Sequence, residues 1–339
     1  MATLDIFNND AFSVTSLIGT ITDIPRVPTQ LGDEGLFTES GMTTTTAFIE
    51  RQGSGLKLVP ASPRGGVADT VGREKRKLIP VAAVHLPQRD TILADEVQGV
   101  RAFGSETEVE AVQALVRRQL AQLKANLDLT LEYQRIGALK GVVLDADGVS
   151  TLYDLYDIFD MAQTTQYWNI ATANTAADPK RSCIELKRLV QSALGGRAFR
   201  RVRVKCSEGY FDDLIAHKAM KEAWLRWQDG AFARQDQTIG DFEFAGVVFQ
   251  IYAGSVGGQD FIADGEAYAY PEGVPGMFVT KYAPADYMET VNTMGLPYYA
   301  KQERMPFDKG VQLESQSNPV MLNTLPEAVI KLSAGAQTT

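Results

Sequence analysis

The longest regular pattern in the sequence lies between Ser105 and Gly137, where apolar residues recur every three or four positions. This spacing predicts an amphipathic α-helix with one continuous apolar face. Ser105 and Glu108 form a capping box that predicts the start of the helix, and Gly137 predicts its end. The predicted apolar face consists of Val109, Val112, Val116, Leu120, Leu123, Leu127 and Leu131, and the predicted polar face of Glu110, Arg117, Lys124, Asp128 and Arg135.

A helix of this length would be about 50 Å long, which exceeds what a compact domain of this size needs. Residues 1–48 precede it and show little periodicity of either kind, so they predict an extended arm that becomes ordered on a neighbouring molecule. Within this arm, Phe7, Phe12, Leu17 and Ile18 could form a short amphipathic piece. The combination of a long rod and an arm indicates a protein built for assembly.

Residues 49–90 predict a long β-hairpin loop. Two strand-like stretches, FIERQG and LKLVPA, precede the glycine-rich tip PRGGVADTVG, and the chain returns through KRKLIPVAAVHLP. A β-excursion of about 40 residues cannot bury a core of its own. The loop must therefore lie on another part of the protein or on another subunit.

The rest of the chain alternates short strands with helices. A hairpin is predicted around Asp147-Gly148, in LKGVVLDADGVSTLYDLY, and the closing segment NPVMLNTLPEAVIKL is apolar. Between them the pattern predicts a helix at 178–195, a strand at RVRVKC, a helix at about 207–227 and a strand pair at DFEFAGVVFQIYAG. The sequence therefore predicts an α+β fold with a central mixed sheet and projecting arms.

Composition excludes several classes of protein. Apolar residues make up 45% and charged residues 22% of the 339-residue chain, as in folded soluble proteins. No stretch approaches 18 consecutive apolar residues, and the first residues lack the basic lead of a secretory signal. The net charge of −9 disfavours a protein that grips nucleic acid through its phosphates. If the protein lies near packaged DNA, an acidic surface would repel the polymer, which favours a container over a DNA-binding protein.

The sequence predicts no catalytic residue, cofactor or metal site. His85 and His217 have no nucleophile motif around them, so each is interpreted as a hydrogen-bonded, partly buried side chain. Cys183 and Cys206 lack the spacing of a zinc site and are interpreted as reduced core thiols. Gly53-Ser54-Gly55 lacks the third glycine of a dinucleotide fingerprint.

Two acidic groups could bind a cation but have simpler interpretations. Asp145, Asp147 and Gly148 resemble the start of a calcium loop whose later ligands are missing, so a tight turn is the better explanation. The second group, Asp260, Asp264 and Glu266, is interpreted as a solvated loop.

Taken in order, these segments resemble the lambda-like major capsid protein E family of tailed phages, which has the HK97 fold. The likeness lies in the arm, loop and long helix through residue 137, and in the hairpin LKGVVLDADGVSTLYDLYD at 139–157. It continues in RVRVKCSEGYFDDLIAHKAMKEAW at 201–224 and in NPVMLNTLPEAVIKL at 318–332. The match covers nearly the whole chain, and the order of the segments is more specific than any single motif.

The resemblance implies a structural protein whose subunits self-assemble into the icosahedral shell around packaged double-stranded DNA. It also implies the following parts: an N-terminal arm at 1–48, an E-loop at 49–90, a peripheral domain at 91–164 with spine helix 105–137 and hairpin 139–157, an axial domain at about 165–300, and a return to the peripheral domain at 301–339. The implied partners are the chain itself, in pentamers and hexamers, a separate scaffolding protein and a portal protein, and whether a decoration protein also binds the outer surface stays open. The implied location is the virion, after assembly in the host cytoplasm.

Contacts between subunits are predicted at the basic and aromatic positions of the loop, the arm and the helix at about 207–227. These residues are Arg64, Arg73, Lys75, Arg76, Lys77, Phe7, Phe12, Trp224 and Trp227. Three other functions remain open at this point: an encapsulin-like nanocompartment shell, a hydrolase or other enzyme, and a decoration or tail module.

Overall fold

The structure is a computed structural model that describes residues 7, 10–27, 29–51, 77–97, 108–170, 177–218, 220–221, 241–256 and 258–336. Its helices are α1 Val14–Asp23, α2 Gln30–Asp33, α3 Ala94–Val97, α4 Glu108–Lys140, α5 Leu155–Phe159, α6 Pro179–Ala193 and α7 Glu208–Ala216. Its strands are β1 Thr38–Gly41, β2 Thr46–Arg51, β3 Lys77–Ala82, β4 Leu86–Leu93, β5 Val142–Leu144, β6 Thr151–Asp154, β7 Thr165–Tyr167, β8 Arg201–Cys206, β9 Phe242–Phe244, β10 Val247–Ile251, β11 Ser255–Val256, β12 Gln259–Asp260, β13 Glu266–Glu272, β14 Phe278–Tyr282, β15 Tyr299–Arg304, β16 Gly310–Ser317, β17 Pro319–Asn323 and β18 Ile330–Ser333. The predicted α+β class is confirmed.

The chain divides into two compact units. The first unit consists of Met1–Ala47, Pro80–Gln134 and Val279–Met321. The second unit consists of Phe48–Ile79, Arg135–Phe278 and Leu322–Thr339. Helix α4 thus contributes residues up to Gln134 to the first unit and its last turns to the second.

The first unit is organised around an antiparallel sheet in the order β15-β16-β4. Helix α1 packs on β15, where Ile18 meets a buried cluster formed by Ala285, Tyr287 and Tyr299. The rings of Tyr287 and Tyr299 meet edge to face at 6.5 Å, the favoured geometry for an aromatic pair. Strands β1, β14 and β17 form a second sheet, in which β1 runs parallel to β14.

The second unit contains the predicted central mixed sheet, in the order β7-β18-β13-β8-β10-β9. Strand β8 is parallel to β10 and antiparallel to β13, so the sheet mixes both kinds of pairing. The rings of Tyr210 and Phe249 lie 6.2 and 5.8 Å from that of Trp168, in T-shaped contacts. Helix α6 starts as predicted, with Asp178 as N-cap and Pro179 in the first turn.

The apolar face of α4 is confirmed at the six predicted positions whose side chains are described. From Val112 to Leu131 these side chains are at most 6% exposed. The predicted polar face is wrong in its central and last parts: Arg117 is exposed, but Lys124, Asp128 and Arg135 are buried. The side chains of Val109 and Glu110 and the predicted cap at Ser105 lie outside the described residues.

The predicted helix end at Gly137 is also wrong, because α4 continues to Lys140. Gly141 ends the helix with a φ of +94°, a left-handed conformation that glycine adopts without strain. Gly137 is needed for a different reason. A Cβ there would lie 3.0 Å from the carbonyl oxygen of Val142 and 3.1 Å from Cα of Val143, so glycine lets the returning strand pass close to the helix.

The N-terminal arm differs from the extended segment that the sequence predicts. Val14–Asp23 forms helix α1, capped by the hydroxyl of Ser13, and Leu17 and Ile21 on its inner face are buried. The predicted amphipathic piece is therefore real. The helical signal in the sequence is weak because the helix has only ten residues and four of them are threonine or serine.

The hairpin loop ends earlier than residue 90. Strands β2 and β3 form its two-stranded base, whereas β4 pairs with β16, from Leu86↔Ser317 to Leu93↔Gly310. The predicted return stretch KRKLIPVAAVHLP hides this boundary, because its apolar residues continue through Ala83 and Val84. The glycine-rich tip lies outside the described residues.

The predicted domain boundaries also differ from the two units. Residues 279–321 belong to the first unit, although the prediction divides them between the axial domain and the return of the chain. The final strand does not join them: Ile330–Ser333 pairs with β13 and β7 in the sheet of the second unit. The hairpin predicted around Asp147-Gly148 is present as β5 and β6. The helix predicted at about 207–227 starts at Glu208 but ends at Ala216, because His217 has extended backbone angles.

Gly141→Ala should destabilise the protein by about 2–4 kcal/mol, because the added methyl group combines left-handed strain with overpacking. Its Cβ would lie 2.2 Å from the buried ring of Tyr156. Gly265→Ala is the matched control, since Gly265 also has a positive φ but no atom within 4 Å of the added Cβ. The control should lose only about 1 kcal/mol in urea unfolding. Equal losses for the two variants would contradict the role of Tyr156.

Candidate functional site, a charged stripe on the long helix

Three charged side chains at four-residue intervals form a buried stripe on α4. They are Lys124, Asp128 and Glu132, which are 3%, 1% and 3% exposed. Residues four apart on a helix lie one above the other, so the stripe covers about 12 Å of the helix surface. We call this set the charged stripe. Burying a charge is costly unless hydrogen bonds compensate for the lost water, so each of these groups requires partners.

Lys124 binds the end of α1. Its Nζ donates to the carbonyl oxygens of Ile21 at 2.8 Å, Thr22 at 3.3 Å and Ile24 at 2.5 Å. The last carbonyls of a helix lack partners within the helix and carry partial negative charge. The last turn of α1 has no basic residue of its own. Lys124 therefore supplies from α4 the cation that the end of α1 lacks.

Asp128 binds the segment that follows α1. Its Oδ2 accepts from the backbone N–H of Val27 at 2.9 Å, and its Oδ1 accepts a short hydrogen bond from the hydroxyl of Tyr298. Burial, followed by the hydrogen bond to Asp128, raises the pKa of Tyr298, so the phenol stays protonated and able to donate. The Tyr298 ring also lies 4.6 Å from the ammonium of Lys124, within the range of a cation–π contact.

Glu132 binds the start of α2. Its Oε1 accepts from the N–H of Leu31 at 2.6 Å and its Oε2 from the N–H of Gly32 at 3.2 Å. The N-cap residue Thr29 forms no side-chain capping bond, so Glu132 takes over this role from another helix. The carboxylate also lies at the end of α2 where the helix dipole favours negative charge.

The pKa of Lys124 depends on its burial and on the opposite charge of Asp128 beside it. Burial is the main cause that lowers the pKa of Lys124, while the carboxylate of Asp128 opposes the shift. Three hydrogen bonds to carbonyl oxygens compensate for the water that the ammonium loses. Chemically, the stripe recognises peptide backbone: a cation meets carbonyl groups, and two carboxylates meet N–H groups.

Sequence reasoning found Lys124 and Asp128 but placed them on a solvent-exposed face, and it did not single out Glu132 or Tyr298. A signal for the stripe was present. Each of the three charged residues directly follows a leucine of the buried face, so all three lie beside that face and not opposite to it. Tyr298 gave no signal, because only the tertiary fold brings it to α4.

The sequence-predicted contact residues fall into three groups. Phe7 and Phe12 are 4% and 2% exposed within the chain itself, and their rings lie 5.1 Å apart. The carbonyl of Phe7 accepts from Nε2 of Gln302 at 2.8 Å. Lys77 starts β3, but its side chain is not described. The remaining predicted residues lie outside the described ranges: Arg64, Arg73, Lys75, Arg76, Trp224 and Trp227.

The histidines and cysteines lie in ordinary structural settings. Nδ1 of His85 lies 2.7 Å from Oδ1 of Asn318, and His217 is 2% exposed. The cysteines are free and buried as predicted, and burial raises the pKa of Cys183 to about 12 and that of Cys206 still further. Gly53-Ser54-Gly55 lies outside the described residues.

The two acidic groups have partners within the chain. Asp147 accepts from Val149 and Ser150 in a tight turn, as predicted. Glu266 forms an ion pair with Lys331 at 2.5 Å. Within the described ranges, no group of three or more His, Cys, Asp or Glu side chains is arranged to hold a metal ion. None of the helices in the part of the chain that was searched combines the length and apolarity that a membrane span requires.

Glu132→Gln should lower the free energy of unfolding by about 2–3 kcal/mol, because an amide offers one acceptor atom where two N–H groups need one each. It should also speed trypsin cleavage after Arg26, which lies in the bound segment. Glu96→Gln makes the same change at an exposed carboxylate of α3 and should stay within about 0.5 kcal/mol of the wild type. Unchanged stability and cleavage in Glu132→Gln would show that the stripe does not hold the segment.

Neither cysteine should react with Ellman's reagent in the native protein, and both should react after unfolding. Because an unfolded cysteine ionises near pH 9.0 and Cys183 near pH 12, the stability due to the buried thiol is complete below pH 9 and is lost between these values. Val149→Cys places a thiol at an 81% exposed position and provides the reactive control. Native labelling of Cys183 at the rate of this control would contradict its burial.

Comparison with known proteins agrees with the resemblance seen in the sequence. The family described as "Phage major capsid protein E" matches residues 13–334. The major capsid protein of Salmonella phage Felix O1 is 26% identical, over 96% of this chain and 97% of that protein. The major capsid protein of Pseudomonas phage KPP10 is 25% identical, over 94% of this chain and 96% of that protein.

Among solved structures, a phage-related protein from Bordetella bronchiseptica RB50 shares the fold at a TM-score of 0.50 and 11% identity. The comparison covers 95% of this chain and 97% of that one. Since the family matches 13–334, nearly the whole chain, the protein belongs to the phage major capsid protein E family.

Proposed function

We propose that this chain is the subunit of an icosahedral phage head, assembled from pentamers and hexamers of the chain itself around packaged double-stranded DNA. The observation that carries the proposal is the family match across residues 13–334. Two curated relatives that cover over nine-tenths of the chain are both named major capsid proteins. The predicted HK97 capsid fold agrees with this membership.

The surface of the first unit supports an assembling protein. The loop between β14 and β15 exposes four large apolar side chains: Met288 at 87%, Val291 at 58%, Met294 at 59% and Leu296 at 41%. This loop is held in place by hydrogen bonds, since the N–H of Gly295 donates to Met42 and the hydroxyl of Thr290 donates to Ala285. Apolar side chains displayed on an ordered loop are typical of protein interfaces.

The acidic surface supports a container and not a DNA-binding protein. A net charge of −9 repels the phosphate backbone and leaves packaged DNA free of specific contacts. Such a role needs no catalytic residue, so the protein acts as a structural component and not as an enzyme. Its place is the virion, after assembly in the host cytoplasm, with a scaffolding protein and a portal protein as partners.

The contacts between subunits are part of the proposal. Arg64, Arg73, Lys75, Arg76 and Lys77 of the long loop would meet acidic groups of a neighbouring subunit, since opposite charges set register and partner choice. Trp224 and Trp227 would anchor a second contact. Phe7 and Phe12 are buried within the chain, so neither ring projects toward a neighbour as those side chains would.

Negative-stain electron microscopy and sedimentation velocity of the purified protein, with and without its scaffold, test the proposal. We expect closed shells or rings of five and six subunits. A monomer or dimer under every condition would contradict it. Shells that enclose a protein cargo when produced without other phage components would instead support the encapsulin-like alternative.

The same assay tests the long loop. A chain lacking residues 60–75 should remain soluble and folded, with an unchanged far-UV circular dichroism spectrum, but should not form stable shells. A matched variant replaces 60–75 with a Gly/Ser linker of equal length, which keeps the reach of the loop and removes its side chains. Normal shells from both variants would show that the loop is not an intersubunit clamp.

A further inference from the structure

The turn between β15 and β16 presents an aromatic side chain to solvent from a fixed backbone. The N–H of Met305 donates to the carbonyl of Gly310 at 3.0 Å, and the N–H of Asp308 donates to the carbonyl of Met305 at 3.1 Å. Gly310 packs against β4, since a Cβ there would lie 2.4 Å from the carbonyl oxygen of Ile92. The turn therefore holds Phe307 in a defined position.

Phe307 has two features that ordinarily make a residue unfavourable: an exposed aromatic ring and a left-handed backbone. Its side chain is 92% exposed, the highest value among the large apolar side chains of the described residues. Its φ is +64° and that of Asp308 is +52°, in the left-handed region that is unfavourable for residues with a Cβ. The ring meets the ammonium of Lys309 at 5.9 Å, a contact that leaves most of it in water. Exposed aromatic side chains of this kind are typical anchors of protein interfaces.

A cavity that fits such an anchor lies between α1 and α4 of the same unit. Its volume is about 370 Å³, and Phe12, Leu17 and Val116, each at most 2% exposed, form its floor. A cavity of about 150 Å³ is enough to hold benzene, so the volume here is sufficient for a phenyl ring. The residues around it are Ala11, Thr20, Gln113, Ala114 and Arg117.

The charges beside the ring and beside the cavity are opposite in sign. Asp308 follows Phe307 and has a 65% exposed carboxylate, which lies 3.7 Å from Arg304. Arg117 lines the cavity and is exposed. A ring that enters the cavity would bring Asp308 toward Arg117, and such complementarity favours one orientation over others.

We propose that Phe307 of one subunit inserts into the cavity between α1 and α4 of a second subunit, with Asp308 facing Arg117. This inference rests on the proposed self-assembly of the chain. The donor turn and the acceptor cavity are different surfaces, so the contact is heterologous and repeats around a ring. The occupant is a second copy of the chain, because the ring is exposed in its own subunit and the complementary charge lies on the same sequence.

Phe307→Ala tests the donor. The variant should keep the wild-type melting temperature as an unassembled subunit and should raise the protein concentration needed for assembly by about tenfold or more, as the loss of an interface anchor does. Val149→Ala is the matched control, since Val149 is an 81% exposed apolar residue in a turn of the second unit. Ala114→Trp fills the cavity without touching Phe307 and should produce the same assembly defect.

A disulfide experiment identifies the pair directly. Subunits carrying Phe307→Cys and subunits carrying Ala114→Cys are mixed, assembled and oxidised, and a cross-linked dimer on a non-reducing gel is expected only from the mixture. The native cysteines are buried and do not interfere. Assembly of Phe307→Ala at the wild-type concentration, or a mixture without cross-linked dimer, would overturn the contact. Failure of the wild-type chain itself to assemble would instead count against the proposed function.

Discussion

The first unit depends on one constraint: three charged side chains of α4 are buried and must find hydrogen-bond partners. Lys124, Asp128 and Glu132 obtain them mainly from the backbone between Ile21 and Gly32. Without that segment, these charges would have to be hydrated on a helix face flanked by leucines. The helix and the N-terminal segment therefore stabilise each other. Without the segment the helix would lack partners for its buried charges, and without the helix the segment would lose these hydrogen bonds.

The order of charges along the stripe also fixes the register of the segment. Lys124 can only donate, so it binds carbonyl groups, and the two carboxylates can only accept, so they bind N–H groups. A shift of the segment by one residue would place different backbone groups opposite the three side chains. Apolar contacts alone would tolerate such a shift far better, because the hydrophobic effect has no direction. The stripe therefore specifies position, and the buried Leu17 and Ile21 of α1 add apolar contact area.

Much of this fold could be predicted from local patterns, because local rules decide local structure. Asp178 and Pro179 start α6, and turn residues join β5 to β6, as the sequence indicates. The predictions failed where a distant group decides the outcome. Gly137 marks a close approach of Val142 and Val143 and not a helix end, and the charges of α4 face a backbone segment about a hundred residues away. Periodicity tells which side chains differ from their neighbours, but it does not tell whether water or peptide lies opposite a charge.

The places where the sequence breaks local rules have two different explanations. At the charged stripe, the exception is the burial of charged side chains, and hydrogen bonds within the same subunit compensate for it. At Phe307 the exception has no such compensation, because the ring stays in water on a left-handed backbone. The exposed Met288 likewise lies on a loop held by hydrogen bonds. Sequences that specify one structure satisfy local and global preferences together, and exceptions concentrate at functional sites. For a chain of a capsid family, whose function is contact with its own copies, unresolved exceptions on a rigid surface are expected where subunits meet.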